Sequence, residues 1–270
     1  MAVRQCLGVI GLLRIATVLC IALGALPARA ETEVDLSLVL AVDISRSMDL
    51  EEQQLQREGY VDAFRSTFVH DAIRKGTIGR IAVTYVEWSG PGEQTVVVPW
   101  TLIEGAAEAK GFADRLDRAP IGRVFSTSIS GAIDFSVQLL KQSGVSALRQ
   151  VIDVSGDGPN NTGRMVTAAR DDALDLGIVI NGLPFMLKRP TGFGDMPDLD
   201  HYFEDCVIGG PGAFLVPIRD RNQIAEATRT KIIREIADDR SAHPLVWRAQ
   251  VREPSNCLIG EQQRRRQYGP

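Results

Sequence analysis

The chain has 270 residues, 44% of them hydrophobic, and a formal net charge of −4. That is enough apolar material for one large α/β core. The slightly acidic balance, with no Lys/Arg cluster until the last few residues, argues against nucleic acid as a partner.

Residues 1–30 read as a signal peptide. Arg4 gives a positive start, residues 7–26 are largely apolar around Arg14, and Ala28-Arg29-Ala30 supplies an A-x-A cleavage signal. An uncleaved membrane anchor is the other reading. The A-x-A end and the polar residues after it favour cleavage, so no stable membrane span is expected in the mature chain, and its place is periplasmic or secreted. Cleavage removes Cys6 and Cys20 and leaves Cys206 and Cys257. An even pair in an exported protein is expected to form a disulfide, here tying the C-terminal tail to the loop around Asp205.

Residues 36–42 form an apolar run, the pattern of a strand buried on both faces in a parallel sheet. Such a strand delivers the next residues to the carboxyl edge of the sheet, where open α/β folds bind ligands. What arrives is Asp43, Ser45 and Ser47, oxygen donors at i, i+2 and i+4. A hard cation such as Mg²⁺ favours an oxygen shell and usually keeps several waters. The plainer reading is a polar βα turn.

Residues 50–68 follow as one long helix, with Asp49 and Glu52 as a capping box and Leu55, Tyr60, Phe64 and Phe68 on one stripe. Residues 78–88 and 95–100 are strands around a Ser-Gly-Pro-Gly turn, the second an antiparallel edge carrying Pro99. Residues 105–116 are a modest helix, and Asp114 in it and Asp117 at its end read as solvated charges. Ser126, Thr127, Ser128 and Ser130 crowd a loop that opens the helix 131–140. They fit either helix capping or oxygen ligation. Residues 150–154 are another buried strand, closed by Ser155-Gly156-Asp157-Gly158, so that Asp157 also lies at a carboxyl edge. Asp153 sits within this strand, either as a structural carboxylate or as a group supporting the oxygen donors from behind.

A helix over 161–174, a strand over 176–183, a Pro/Gly-rich insertion over 188–200 and a short helix over 199–206 come next. The last strand is 214–218. The last patterned helix is 222–237, with Ile224, Ala227, Ile232 and Ile236 inward. Beyond 241 the pattern is lost, and Arg264-Arg265-Arg266 reads as solvated tail. The alternation predicts an α/β fold: a doubly wound, mostly parallel sheet with one antiparallel edge strand and helices on both faces. It divides as leader 1–30, domain 31–240 and tail 241–270.

Asp43-x-Ser45-x-Ser47 after a buried strand, Thr127 before a helix and Asp157-Gly158 after a later strand come in the order of a known site. Together they resemble the metal-ion-dependent adhesion site of von Willebrand factor A (vWA) domains, and the Rossmann-like vWA fold is what that resemblance implies. The 222–237 helix and the cysteine pair resemble an exported bacterial family of unassigned function. By the family pattern Ser45, Ser47 and Thr127 hold Mg²⁺ (or Mn²⁺) directly or nearly so, and Asp43 and Asp157 act mostly through bound water. An Asp or Glu of a protein partner completes the shell. The chain departs from the pattern at Ser126, where the family often has Gly, so Ser128 is an alternative ligand. The resemblance implies a divalent-cation-dependent protein-binding module of the cell envelope, for adhesion or assembly, and not an enzyme.

Two other readings stand beside it. One is a vWA scaffold that uses no metal. The other is a Mg²⁺-dependent hydrolase. A haloacid dehalogenase-type enzyme needs a second Asp where Ser45 stands. Neither G-x-G-x-x-G after the first strand nor G-x-S-x-G occurs, and His70, His201 and His243 show no metal or triad spacing.

Overall fold

The computed structural model describes residues 31–46, 48–122, 126–187, 196–237 and 252–268. The leader, Ser47 and most of the 188–200 insertion lie outside the described residues. Five strands, β1 (Thr32–Asp43), β2 (Ile81–Trp88), β3 (Gln94–Ile103), β4 (Val145–Gly156) and β5 (Val179–Pro184), make one sheet in the order β3-β2-β1-β4-β5. β1 pairs in parallel with β2, from Leu36 opposite Ile81 to Asp43 opposite Trp88. β4 pairs in parallel with β5, and β3 runs antiparallel to β2 as the edge. The doubly wound, mostly parallel sheet with one antiparallel edge is therefore the fold.

β1 is central because both of its faces are apolar. Successive side chains alternate across a strand. Leu36, Leu38, Leu40 and Val42 enter one core with α1 (Leu50–Arg65), α2 (Thr67–Arg74), α3 (Ala106–Arg118) and the later α7 (Ile224–Ala237). Val39 and Ala41 enter the other core with α4 (Ile129–Lys141), α5 (Val166–Asp175) and α6 (Leu199–Tyr202). The strand thus ends at the carboxyl edge between two helical layers.

Several elements depart from the sequence pattern for identifiable reasons. The helix expected over 50–68 is two helices. Ser66 takes extended backbone (φ −74°, ψ 135°), and its side chain accepts from the Phe68 N–H at 3.2 Å, capping α2. Phe68 therefore leaves the inward stripe and is 63% exposed, under the Arg229 guanidinium. The helix expected from 161 starts at Val166, because the residues after β4 are spent on a loop. Residues 214–218 join the sheet only through bridges of Leu215 to Gly182 and Ile218 to Phe185. Pro217 in that stretch has no N–H to offer a ladder.

In α7, Ile224, Ile232 and Ile236 are buried as expected, while Ala227 is only half-buried. Thr228, Lys231 and Glu235 are buried with them. Lys231 Nζ lies 2.7 Å from both Asp153 and Glu235, and Asn181 donates to Glu235 at 2.7 Å. Asp153 is thus a structural carboxylate with a cation of its own. Asp114 and Asp117 are exposed as expected, and both accept from Arg65 at 2.8 Å. The segment after 241 contributes a further helix, α8 (Ile259–Tyr268), although it lacks a hydrophobic pattern. Cys206 and Cys257 form a disulfide with a Cα–Cα distance of 5.5 Å.

Candidate metal centre at the carboxyl edge

Asp43 is the last residue of β1 and has no solvent exposure. Its Oδ1 accepts from the Ser45 N–H at 2.7 Å, an Asx-type turn that folds the chain over the strand end. Its Oδ2 is buried and has no hydrogen-bond partner among the described residues. No basic side chain among the described residues pairs with this carboxylate. Burial, and then the nearby Asp157 carboxylate, push the Asp43 pKa up to about 8 against the pull of the Ser45 and Asp157 backbone N–H groups.

The third loop comes close because β4 is the neighbour of β1 and ends on Gly156. A Cβ at Gly156 would stand 3.1 Å from Asp43 Oδ2, so a side chain there would crowd the carboxylate. Asp157 follows directly, half-buried. Trp88, the residue opposite Asp43 on β2, is fully buried and borders the same point: its ring edge is 3.6 Å from that Gly156 Cβ position. Ser45 is buried, and its carbonyl accepts a long 3.4 Å bond from Gln53 on α1. Ser47 lies outside the described residues.

Thr127 is 5% exposed and is sewn to the third loop. Its N–H donates to Asn161 Oδ1 at 3.1 Å, and its carbonyl accepts from the Asn161 N–H at 3.0 Å. Ser128 caps α4. Its Oγ accepts from the Gly131 N–H at 3.1 Å, and its own N–H donates to the Ser89 carbonyl at 2.7 Å. Asn160 Oδ1 accepts from the Ser130 N–H at 3.0 Å. The second and third loops are therefore stitched together by hydrogen bonds, and the third approaches Asp43 through Gly156 and Asp157.

Other residues that shape this edge carry weaker sequence signals. Gln53, Gln56 and Arg57 lie on the polar side of the α1 pattern, yet all three are buried. Gln56 donates to Ser155 Oγ at 2.6 Å, one residue before Gly156. Arg57 pairs with Glu87 and donates to the carbonyls of Leu116 at 2.8 Å and Ala119 at 3.0 Å, while Glu87 accepts from the Gly122 N–H at 3.1 Å. This holds the approach to the second loop. The Asn160-Asn161 pair, which the sequence reading passed over, is the one local signal for this stitching, since a side-chain amide offers a donor and an acceptor at once.

Chemically the edge offers carboxylates and hydroxyls. Among the described residues no group of three or more His, Cys, Asp or Glu is placed to hold a metal. A soft-donor site of the zinc-finger kind is therefore absent from the described residues. The oxygen set fits a hard divalent ion with water in its shell. The buried Asp43 Oδ2, unbonded among the described residues, is the observation that makes it fit, because a buried carboxylate oxygen calls for a donor or a cation.

Comparison with known proteins places this architecture. Among solved structures, the pilus adhesin SpaC of Lactobacillus rhamnosus GG matches 77% of this chain and 32% of its own length, with 11% identity and a TM-score of 0.57. The proximal thread matrix protein 1 of the mussel byssus matches 77% of this chain and 48% of its own, with 12% identity and a TM-score of 0.56. The vWF domain of the type V pili tip protein Mfa5 of Porphyromonas gingivalis matches 74% of this chain and 94% of its own, with 12% identity and a TM-score of 0.51. The chain thus spans about a third to a half of the first two proteins. At such identities the likeness is one of fold, and the fold is of the vWA type. No curated protein matches in sequence. A family model described as "Protein of unknown function (DUF1194)" matches residues 33–240.

Proposed function

The chain belongs to that family, and from its vWA-type fold and carboxyl edge we propose that it is a divalent-cation-dependent protein-binding module of the cell envelope. Ser45, Ser47 and Thr127 are the proposed hydroxyl donors, and Asp43 and Asp157 the proposed carboxylates, each acting directly or through water. Ser128 Oγ is occupied in capping α4, which favours Thr127 as the second-loop donor. The supporting observation is the buried Asp43 Oδ2, unbonded among the described residues and beside a second carboxylate. A bound Mg²⁺ or Mn²⁺ supplies positive charge that relieves this repulsion and leaves a coordination position for a carboxylate from outside. The chain's own part is to hold the loops in register and to keep Asp43 out of water. An Asp or Glu of a protein partner is the proposed sixth ligand, so that affinity arises from a shared cation.

An exported location, periplasmic or secreted, follows from the leader-like residues 1–30 and agrees with the Cys206–Cys257 disulfide. No described helix is long and apolar enough to cross a membrane. Calorimetric titration with Mg²⁺ and Mn²⁺ tests the ion site. Wild type is expected to bind and Asp43→Ala to lose binding. A wild type that gives no heat favours the metal-independent scaffold instead. A Mg²⁺-dependent pull-down from cell-envelope extract, reversed by chelator, tests the partner. Turnover of a phosphoester panel would point to a hydrolase.

A further inference from the structure

The helix α8 has little reason to be where it is on apolar grounds. Among its described side chains only Ile259 packs against a core, and Arg264, Arg265 and Arg266 are exposed. An isolated helix of this length is marginal in water. It is held instead by a tether and by polar contacts. Cys257 is bonded to the buried Cys206. Just before it, Arg252 pairs with Asp205 at 2.6 Å and Glu204 at 2.8 Å, and the Ser255 N–H donates to Asp205 at 2.8 Å. A covalent tether of this kind turns docking into an intramolecular event at high effective concentration.

The tether delivers α8 onto both loops of the metal edge. Gly260 presses backbone against backbone: a Cβ there would lie 2.1 Å from the Asn160 carbonyl oxygen. Next to it, Glu261 Oε1 accepts from Asn160 Nδ2 at 2.7 Å. One turn on, Arg264 Nη1 donates to Ser126 Oγ at 3.1 Å. Ser126 directly precedes Thr127 and holds φ at +80°, a left-handed conformation that a non-glycine residue adopts at a cost.

We infer that α8 is a disulfide-tethered brace of the candidate metal centre, in which Glu261 and Arg264 are positioning residues. A carboxylate only accepts, so Glu261 at 2.7 Å, with the Arg164 carbonyl at 3.2 Å, holds Asn160 Nδ2 on their side. Oδ1 is thereby aimed at the Ser130 N–H, which it accepts, and the start of α4 beside Thr127 is pinned. Arg264 holds Ser126 in its left-handed state from the other side. The consequence for ion affinity rests on the proposed metal site, whereas the bracing itself does not.

The test uses the full oxidised chain with Gly260→Ala, Glu261→Ala and Glu261→Gln. Gly260→Ala keeps the disulfide and raises helix propensity, so any loss comes from undocking. Amide exchange is read first, without metal. The Ser130 and Thr127 N–H groups are expected to exchange about tenfold faster in Gly260→Ala and Glu261→Ala, and to stay protected in Glu261→Gln, whose amide oxygen still accepts. Mn²⁺ affinity by calorimetry is expected to fall about tenfold in the same two variants and to recover in Glu261→Gln. Wild-type exchange rates in both Gly260→Ala and Glu261→Ala overturn the brace. If wild type itself takes up no Mn²⁺, the ion site fails, and the exchange data still judge the brace.

Discussion

Two of the regions that bury carboxylates in this molecule surround them differently. Under α7, Asp153 and Glu235 face Lys231, which is 1% exposed and 2.7 Å from each. Burial works against the Lys231 ammonium, but the two carboxylates outweigh it and raise its pKa. Burial lifts Asp153 to about 6, with Lys231 pulling it down and Glu235 pushing it up. At the carboxyl edge, Asp43 is equally buried and meets Asp157, and its pKa climbs to about 8. The chain carries the cation for the interior cluster. For Asp43 no described side chain does so. The difference teaches that one buried carboxylate cluster carries its own counter-charge, while on the proposed reading the other takes it from solution.

The largest effect should come from removing the built-in cation. Lys231→Met leaves two carboxylates buried without their counter-charge and is expected to cost about 3–5 kcal/mol in denaturant unfolding. The loss should shrink as pH falls through about 6, where Asp153 can take up a proton. An unchanged midpoint at pH 7 would dissolve the contrast between the two regions.

Asp43→Asn should act in the opposite direction. With burial raising its pKa to about 8, Asp43 is expected to hold a proton in the ion-free folded protein between about pH 4 and pH 8, where the unfolded chain has released it. The unfolded state binds fewer protons across that window, so ion-free stability falls as pH rises through it. Asp43→Asn is expected to remove this slope and to stabilise the ion-free protein at pH 8 by on the order of 3 kcal/mol. Mg²⁺ at a hundredfold excess over its dissociation constant should stabilise wild type by about 2.7 kcal/mol and leave Asp43→Asn unmoved. Thermal melts from pH 5 to pH 8, with Mg²⁺ or with chelator, give both readings.

The smallest change sharpens the comparison by adding to it. Asp49 caps α1 in a capping box with Glu52, and α1 carries the Gln53 and Gln56 that reach Ser45 and Ser155. Asp49→Ala should cost about 1 kcal/mol. Its cost should sum with that of Lys231→Met, since the cap acts through Glu52 and the buried cluster through Asp153 and Glu235. A clear deviation from additivity would show that edge and interior are mechanically linked.

Much of the edge was legible because its signals are local. The run before Asp43, the hydroxyls at fixed spacing, the Thr127 helix start and Gly156-Asp157-Gly158 each announce a strand end or loop within a few residues. The cysteine pair was legible by counting. Other residues were not, for one recurring reason. Lys231 and Glu235 interrupt an apolar stripe and look solvated until Asp153, far back in the chain, is seen facing them. Gln56 and Arg57 look like the wet side of α1 until Ser155 and Glu87 arrive. Phe68 looks inward until Ser66 breaks the helix and turns it out.

By itself, then, the amino-acid sequence determined the parallel sheet with its antiparallel edge, the central place of β1 and the oxygen-rich loops at its carboxyl end. Apolar periodicity and turn chemistry act over a handful of residues, and that is the range over which they can be read. Only the tertiary structure decided which polar side chains were buried, how Asn160 and Asn161 join the loops, and that a helix without an apolar face would be drawn onto them. The physical reason is that burying a polar group is allowed only by the partner it meets, and those partners come from distant segments that only folding brings together.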